Sequence, residues 1–383
     1  MATIVFVMMP EPGHLNATYK IAKTLQGRGH RVIYSEPPYA EPAIRAQGFE
    51  FVPLLAGYFP ADFTAAQASR TSWYEVLRSA LKLETQADTM RMLGILRREL
   101  QALTARTRPN LLLIDGLLPE LAATAHDLRL PCALINTALY DPFDDHGQIE
   151  NAPVFAPILS KLPALFLCPQ EFDFPRQRGS PNHFYVEASV DLERKEPDFP
   201  WENLDSRKRL IYCSLGSQSF LHHNNQQVLR TLTEAVARRE DCQMILAVDS
   251  QLRPADFSPL PPNVLAVNSA PQLALLKTSS LAITHGGLNT IKECILMGVP
   301  MIVLPMTRDQ PRNAARVAYH SLGLMGNFQF ITVEQASSLI DQVEKSSVFK
   351  EKVEAMRKIF REKEEAGRGV QVVESLLSQT AVN

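Results

Sequence analysis

Residues 1–54 read MATIVFVMMPEPGHLNATYKIAKTLQGRGHRVIYSEPPYAEPAIRAQGFEFVPL. The β-branched run at 3–9 predicts a strand. Leu15, Thr18, Ile21, Ala22 and Leu25 then fall at helical spacing over 15–26, and Gly27 and Gly29 stop that helix. A strand at 31–35, a helix at about 39–46 ended by Gly48, and a strand at 49–54 complete a β-α-β-α-β series. Connections this short suit parallel strands, so the chain reads as α/β.

The same alternation continues outward. Leu111–Ile114 predicts a buried strand, 119–128 a helix and Cys132–Asn136 another strand, completing a doubly wound N-terminal half. From 137 to 207 prolines interrupt all but brief strands near 164–168 and 183–187. Strands at 209–214, 243–248, 263–267, 281–284 and 300–304 then alternate with helices at about 222–238, 271–277, 287–297 and 309–320. Two helices close the chain, the last over about 346–377. The expected architecture is two doubly wound, Rossmann-like domains facing across a cleft: 1–187, a linker at 188–206, 207–345, and a C-terminal helix in 346–383.

With 383 residues, 45% of them apolar and 21% charged, the chain is long enough for two cores. Lys and Arg number 39 against 41 Asp and Glu, so a net charge of −2 offers no bulk attraction to nucleic acid or an anionic membrane. Cys132, Cys168, Cys213, Cys242 and Cys294 show no CxxC or metal-type spacing and read as buried thiols in a reducing cytoplasm. The opening apolar run lacks a preceding basic residue and ends at Pro10, which argues for a first strand and against a signal peptide. Nowhere do eighteen apolar residues run together, so no membrane span is expected.

Chemistry is expected at the strand ends. Ile283-Thr284-His285-Gly286-Gly287-Leu288-Asn289-Thr290 passes from strand to helix through two glycines, and the first amides of a new helix lack intrahelical acceptors. Such a turn suits an oxyanion, with His285 able to donate to a second oxygen. Glu293 on that helix has the reach for a ribose hydroxyl pair. Asp309 and Gln310, opening the next helix, combine a carboxylate and an amide suited to neighbouring sugar hydroxyls; helix capping is the plainer reading of Asp309.

The ordered set Ala270-Pro271-Gln272-Leu273, Thr284 to Thr290, Glu293, Gly298-Val299-Pro300, Pro305, Asp309-Gln310 and Asn313-Ala314 resembles the donor signature of family 1 UDP-glycosyltransferases. Gly13-His14-Leu15-Asn16 resembles that family's amino-terminal loop, and Ser214-Leu215-Gly216-Ser217 its second nucleotide loop. The bacterial natural-product and macrolide branch is the closer likeness. The resemblance implies the GT-B fold, an acceptor-binding first domain, a nucleotide-sugar-binding second domain, a C-terminal helix in 346–383 that crosses back to the first domain, and metal-independent transfer of a hexose with inversion; a nucleotide sugar is the co-substrate and no separate cofactor is implied.

Carried over by position, the resemblance makes His14 the general base and Asp115, in Leu113-Ile114-Asp115-Gly116, the carboxylate orienting it. Both follow predicted strands at their carboxyl ends, and an imidazole suits proton removal from an acceptor hydroxyl. It also assigns His285, Gly287, Asn289 and Thr290 to the diphosphate, Glu293 to the ribose, Asp309 and Gln310 to the sugar, Ser217 to the nucleotide, and the backbone of Ala270 and Gln272 to the base edge. Ser269 stands where many members carry a base-stacking tryptophan. Uridine is the first expectation for the base and thymidine the second.

Other features read more plainly. The acidic stretch Asp141 to Asp145 is taken as solvated surface and not as a metal site, and Cys294 as a buried thiol. The acceptor is expected to be small and apolar or polycyclic, because segments 56–80 and 138–160 carry Tyr58, Phe59, Phe63, Trp73, Tyr74, Tyr140, Phe143 and Phe155, although such rings also build cores. A nicotinamide oxidoreductase is disfavoured, since Glu11-Pro12-Gly13-His14-Leu15-Asn16 lacks the GxGxxG fingerprint. A silent nucleotide-sugar-binding auxiliary protein and a nucleotide-sugar epimerase remain as alternatives.

Overall fold

The computed structural model describes residues 1–59, 63, 88–139, 152–175, 181–216, 219, 222–248 and 252–380. Two compact units divide the chain. The first comprises Met1–Gln170, Pro175–Asp191 and Lys363–Asn383, the second Glu171–Phe174 and Leu192–Glu362.

In the first unit seven parallel strands, β1 (Thr3–Val7), β2 (Arg31–Tyr34), β3 (Glu50–Phe51), β4 (Leu111–Asp115), β5 (Cys132–Asn136), β6 (Ala164–Phe166) and β7 (His183–Tyr185), lie in the order β3-β2-β1-β4-β5-β6-β7. They alternate with α1 (Pro12–Gly27), α2 (Glu41–Ala46), α3 (Asp88–Thr107), α4 (Pro119–Asp127) and α5 (Ala152–Leu159). Strand β3 is shorter than the expected 49–54, because Pro53 has no amide to donate; Val52 and Leu54 still donate to Tyr34 and Glu36. One face of the sheet is sealed by α1, whose Leu15, Ile21, Ala22 and Leu25 are buried against Ile4, Phe6 and Tyr34. Tyr34 stacks on Phe6 with ring centroids 5.0 Å apart and meets Tyr19 and Phe49 edgewise or tilted. Each such ring removed from water contributes roughly 1.5–3 kcal/mol.

The second unit holds six parallel strands, β8 (Arg209–Ser214), β9 (Cys242–Ala247), β10 (Val264–Val267), β11 (Ser279–Thr284), β12 (Met301–Val303) and β13 (Gly323–Met325), in the order β10-β9-β8-β11-β12-β13. Its helices are α6 (Asn225–Ala237), α7 (Gln272–Thr278), α8 (Leu288–Met297), α9 (Gln310–Tyr319), α10 (Val333–Lys345) and α11 (Ser347–Ala366). Strand β13 was not expected; its three residues sit between helices and carry too little pattern to register. The short segment Glu171–Phe174 is fastened within this unit by Asp173, which accepts from Arg316 at 2.8–2.9 Å, and by Phe172 against His320 and Phe360.

The single closing helix expected over 346–377 is two helices. Gly367 adopts φ +56°, a left-handed conformation that interrupts the ladder and separates α11 from α12 (Arg368–Thr380). Helix α12 belongs with the first unit, where Val370, Val373 and Leu376 join the core beside α1. Among the described residues no helix is long and apolar enough to cross a membrane. None of the five cysteines is in a disulfide.

Candidate active site

In a doubly wound sheet the loops at the carboxyl ends diverge where the strand order reverses, which opens a crevice for ligands. That switch lies between β1 and β4 in the first unit and between β8 and β11 in the second. His14 sits on the first turn of α1, just past β1, and Asp115 is the last residue of the adjacent β4. Two residues 101 apart in sequence thus meet: His14 Nδ1 lies 2.7 Å from Asp115 Oδ2.

Backbone amides orient the carboxylate. Met9 N–H donates to Oδ2 at 3.2 Å and Leu117 N–H to Oδ1 at 2.9 Å, and Asp115 is 1% exposed against 13% for the His14 side chain. With both carboxylate oxygens held as acceptors, the bond to His14 assigns the proton to Nδ1 and the lone pair to Nε2. Thr137, one residue beyond β5, brings its hydroxyl within 2.8 Å of the same Nδ1. Thr137 carries no signal of this role in the sequence, because nothing local marks a threonine after a strand as a partner of a histidine 123 residues earlier.

In the second unit the turn after β11 places the His285 ring between two glycines. A Cβ on Gly216 would approach the ring to 2.6 Å, and one on Gly287 to 2.7 Å. Gly216 also adopts φ +83°. The space left by both missing side chains is therefore filled by imidazole, and burial pushes its pKa down to about 4, partly offset by a hydrogen bond to the backbone of Ser214. Gly287 precedes α8 without capping it by a side chain, and the first intrahelical acceptor is its own carbonyl, used by Ile291 N–H. The amides of Leu288, Asn289 and Thr290 thus form the open positive end of the helix.

Asp309 and Gln310 lie beside this turn. The Asp309 side chain does not cap α9; it accepts from Asn313 Nδ2 at 2.8 Å, and Asn313, fully buried, also donates to the Gly286 carbonyl at 3.0 Å. Gln310 turns its side-chain carbonyl back onto the amides of Met306 and Thr307 at 2.9 and 3.1 Å.

Glu293 and Gln272 form a second cluster. Gln272 Nε2 donates to Glu293 Oε2 at 2.5 Å and its carbonyl accepts from Tyr212 at 3.0 Å. Arg194 spans both oxygens of Glu293, at 2.5 and 3.2 Å, leaving that carboxylate 4% exposed. Nearby, Glu196 accepts from the Leu273 and Ala274 amides at the start of α7. Both charged residues fall in the stretch expected to be only a linker, and their spacing carried no motif. Ala270 and the exposed Ser269 lie between β10 and α7.

Ser217, Trp73, Tyr74, Tyr140, Phe143 and the stretch Asp141 to Asp145 lie outside the described residues. Phe59 and Phe63 pack with Tyr39, and Phe155 is buried. No cluster of His, Cys, Asp or Glu suited to a metal occurs among the described residues.

Two parallel, doubly wound sheets with candidate chemistry at both switch points define a GT-B glycosyltransferase fold. The solved glycotransferase of kitacinnamycin shares this fold with a TM-score of 0.75 at 22% identity, covering 98% of this chain and 99% of that one. The spinosyn rhamnosyltransferase SpnG does so with a TM-score of 0.75 at 22% identity, over 98% and 100%. The model of the UDP-glucoronosyl and UDP-glucosyl transferase family matches residues 152–367, and the chain belongs to that family; it is a glycosyltransferase. Demethyllactenocin mycarosyltransferase of Streptomyces fradiae is 27% identical over 100% of this chain and 88% of its own length. NDP-glycosyltransferase YjiC of Bacillus subtilis (strain 168) is 23% identical over 99% and 98%.

Proposed function

We propose that this chain transfers a hexose from a nucleoside-diphosphate sugar to a hydroxyl of a small, apolar natural product, in a single displacement that inverts the anomeric centre and needs no metal. The observation carrying the proposal is the His14–Asp115 pair, 2.7 Å apart at the first unit's switch point. His14 Nε2 takes the acceptor proton as the acceptor oxygen attacks the anomeric carbon, and the diphosphate leaves with the bonding pair. Asp115 holds the tautomer and stabilises the imidazolium.

The leaving diphosphate is received by the amides at the start of α8, with Gly287, Asn289 and Thr290, and by His285, onto which the ligand's charge draws a second proton. Asp309 and Gln310 address the sugar, Glu293 the ribose, Ala270 and Gln272 the base, and Ser217 the nucleotide. Uridine is the first choice of base. Thymidine is the second, supported by the spinosyn rhamnosyltransferase having been solved with thymidine diphosphate. A natural-product acceptor is supported by the names of relatives acting on demethyllactenocin and of the neighbour solved with spinosyn aglycone.

The test is the anomeric coupling constant of product made from an α-linked donor in the presence of chelator. A β-linked product formed at an unchanged rate is expected. Retained configuration refutes the single displacement and the roles of His14 and Asp115, and activity restored only by added magnesium or manganese refutes metal independence.

A further inference from the structure

Arg194 belongs to the stretch of the second unit that begins at Leu192 and to no motif of the sequence. Its guanidinium spans Glu293: Nη1 donates to Oε1 at 2.5 Å and Nη2 to Oε2 at 3.2 Å. Gln272 Nε2 adds a further donor to Oε2 at 2.5 Å, and Tyr212, donating to the Gln272 carbonyl at 3.0 Å, fixes which way that amide faces. A carboxylate offers about four lone-pair sites. Among the described residues both sites on Oε2 and one on Oε1 are therefore filled, and Oε1 keeps one.

The guanidinium is itself held from the other side. Glu196 accepts from the amides of Leu273 and Ala274 at 2.8 and 2.9 Å, one on each oxygen, and its Oε1 stands 3.5 Å from Arg194 Nη2. Arg194 thus lies between two carboxylates, one of them tied to the backbone, with its side chain 21% exposed against 4% for that of Glu293. A planar guanidinium across both oxygens of a carboxylate is the strongest form of this pairing. Drawing it away would leave the Glu293 charge in the interior with Gln272 as its remaining donor, and a sugar hydroxyl returns less than a charged fork supplies.

A ribose presents neighbouring 2'- and 3'-hydroxyls, and reading both takes two acceptor sites where one is open. We propose that Arg194 is a positioning residue that limits Glu293 to a single ribose hydroxyl and makes the donor site indifferent to the 2'-hydroxyl, so that ribo- and 2'-deoxyribonucleoside diphosphates bind alike. The inference rests on the assignment of Glu293 to the ribose and goes beyond it by stating how much of the ribose is read and which residue decides this.

Calorimetry on the full chain compares UDP with 2'-deoxy-UDP, which share base and diphosphate, so that the ratio of their Kd values reports the one hydroxyl. Wild type should bind the two within about twofold. Arg194→Met keeps an unbranched apolar stem, removes both donors and frees two sites on Glu293; it should favour UDP by at least about tenfold, the worth of a hydrogen bond to a charged acceptor. Arg194→Lys, a point charge that cannot span both oxygens, should fall between them, and it carries the comparison if Arg194→Met does not fold. Loss of a merely structural arginine would weaken both nucleotides together and leave the ratio where it was, so an unmoved ratio in the folded variants overturns the assignment. A wild-type preference for UDP of about tenfold or more also overturns it, because Arg194 must then swing aside to let Glu293 take both hydroxyls. Saturable binding of neither nucleotide refutes the nucleotide site and this inference with it, whereas a wrong ratio refutes this inference alone.

Discussion

Replacing Asp115 by asparagine separates two services a carboxylate can render a histidine, and the hydrogen bonds around it forecast which is lost. Leu117 N–H points at Oδ1, while Met9 N–H and His14 Nδ1 point at Oδ2. An asparagine amide nitrogen must face one set of donors. Turned toward Oδ2 it meets two, and turned toward Oδ1 it meets one, so the latter orientation is favoured by about one hydrogen bond, roughly 1 kcal/mol. The oxygen then still accepts from Nδ1, and the lone pair stays on Nε2. What disappears is the charge opposite the forming imidazolium. Charge-assisted hydrogen bonds contribute about 1–2 kcal/mol more than neutral ones, which predicts a kcat roughly 5- to 30-fold lower for Asp115→Asn.

Asp115→Ala should be far worse. With no acceptor there, the Thr137 hydroxyl at 2.8 Å is left to donate to Nδ1, which moves the ring proton to Nε2 and disables the base. A loss of about 10³–10⁴ is expected, and Asp115→Ala/Thr137→Val should recover part of it, a non-additive signature of a shared partner. Initial rates of product formation at saturating donor decide the ranking, with nucleoside-diphosphate affinity by calorimetry as the control that should not move. If Asp115→Asn is as inactive as Asp115→Ala, or if removing Thr137 rescues nothing, the tautomer argument fails.

Three further outcomes are expected. The folded chain holds His285 at about pH 4 against 6.5 for an ordinary histidine, so it binds fewer protons than the unfolded chain between those values. Stability present above about pH 6.5 should fall as pH drops toward 4, by up to ~3 kcal/mol, and His285→Asn should show a shallower loss of Tm over that window; parallel curves refute it. Gly216→Ala, with φ +83° and a Cβ 2.6 Å from the His285 ring, should weaken nucleoside-diphosphate binding at least about tenfold, whereas Gly27→Ala, with nothing within 4 Å, should leave it unchanged. Asp173→Asn removes the carboxylate charge held 2.8–2.9 Å from the buried Arg316 guanidinium and should lower unfolding stability by about 3–5 kcal/mol in a denaturant titration; a change under 1 kcal/mol would show the ion pair to be dispensable.

Local pattern carries much of this protein. Strands of four to six apolar residues, helices of regular 3.6-residue period and glycines or prolines at their ends determine α/β alternation in both halves, because secondary structure of this kind depends on neighbours a few positions apart. Strands Cys132–Asn136 and Arg209–Ser214 were legible to the residue for that reason. Residue types at the turn after Thr284 and on the helix it opens likewise pointed to His285 and Glu293 as candidates, whereas His14 and Asp115 came from the family resemblance carried over by position. What local pattern does not contain is strand order. Only the order β2-β1-β4-β5 lets residues 14, 115 and 137 converge on one imidazole nitrogen. Only folding sets Arg194 across Glu293, closes two glycines around His285, and hangs Glu36 beside Asp115 on consecutive amides. Even the break at Gly367 depends on context: a glycine within a helical period is tolerated or turned left-handed according to what the following residues can bury, and here Val370 and Val373 are drawn into the core against α1. Each of these contacts joins residues far apart in the chain, where the free energy of burial and hydrogen bonding, and not the propensity of either segment, selects the partner.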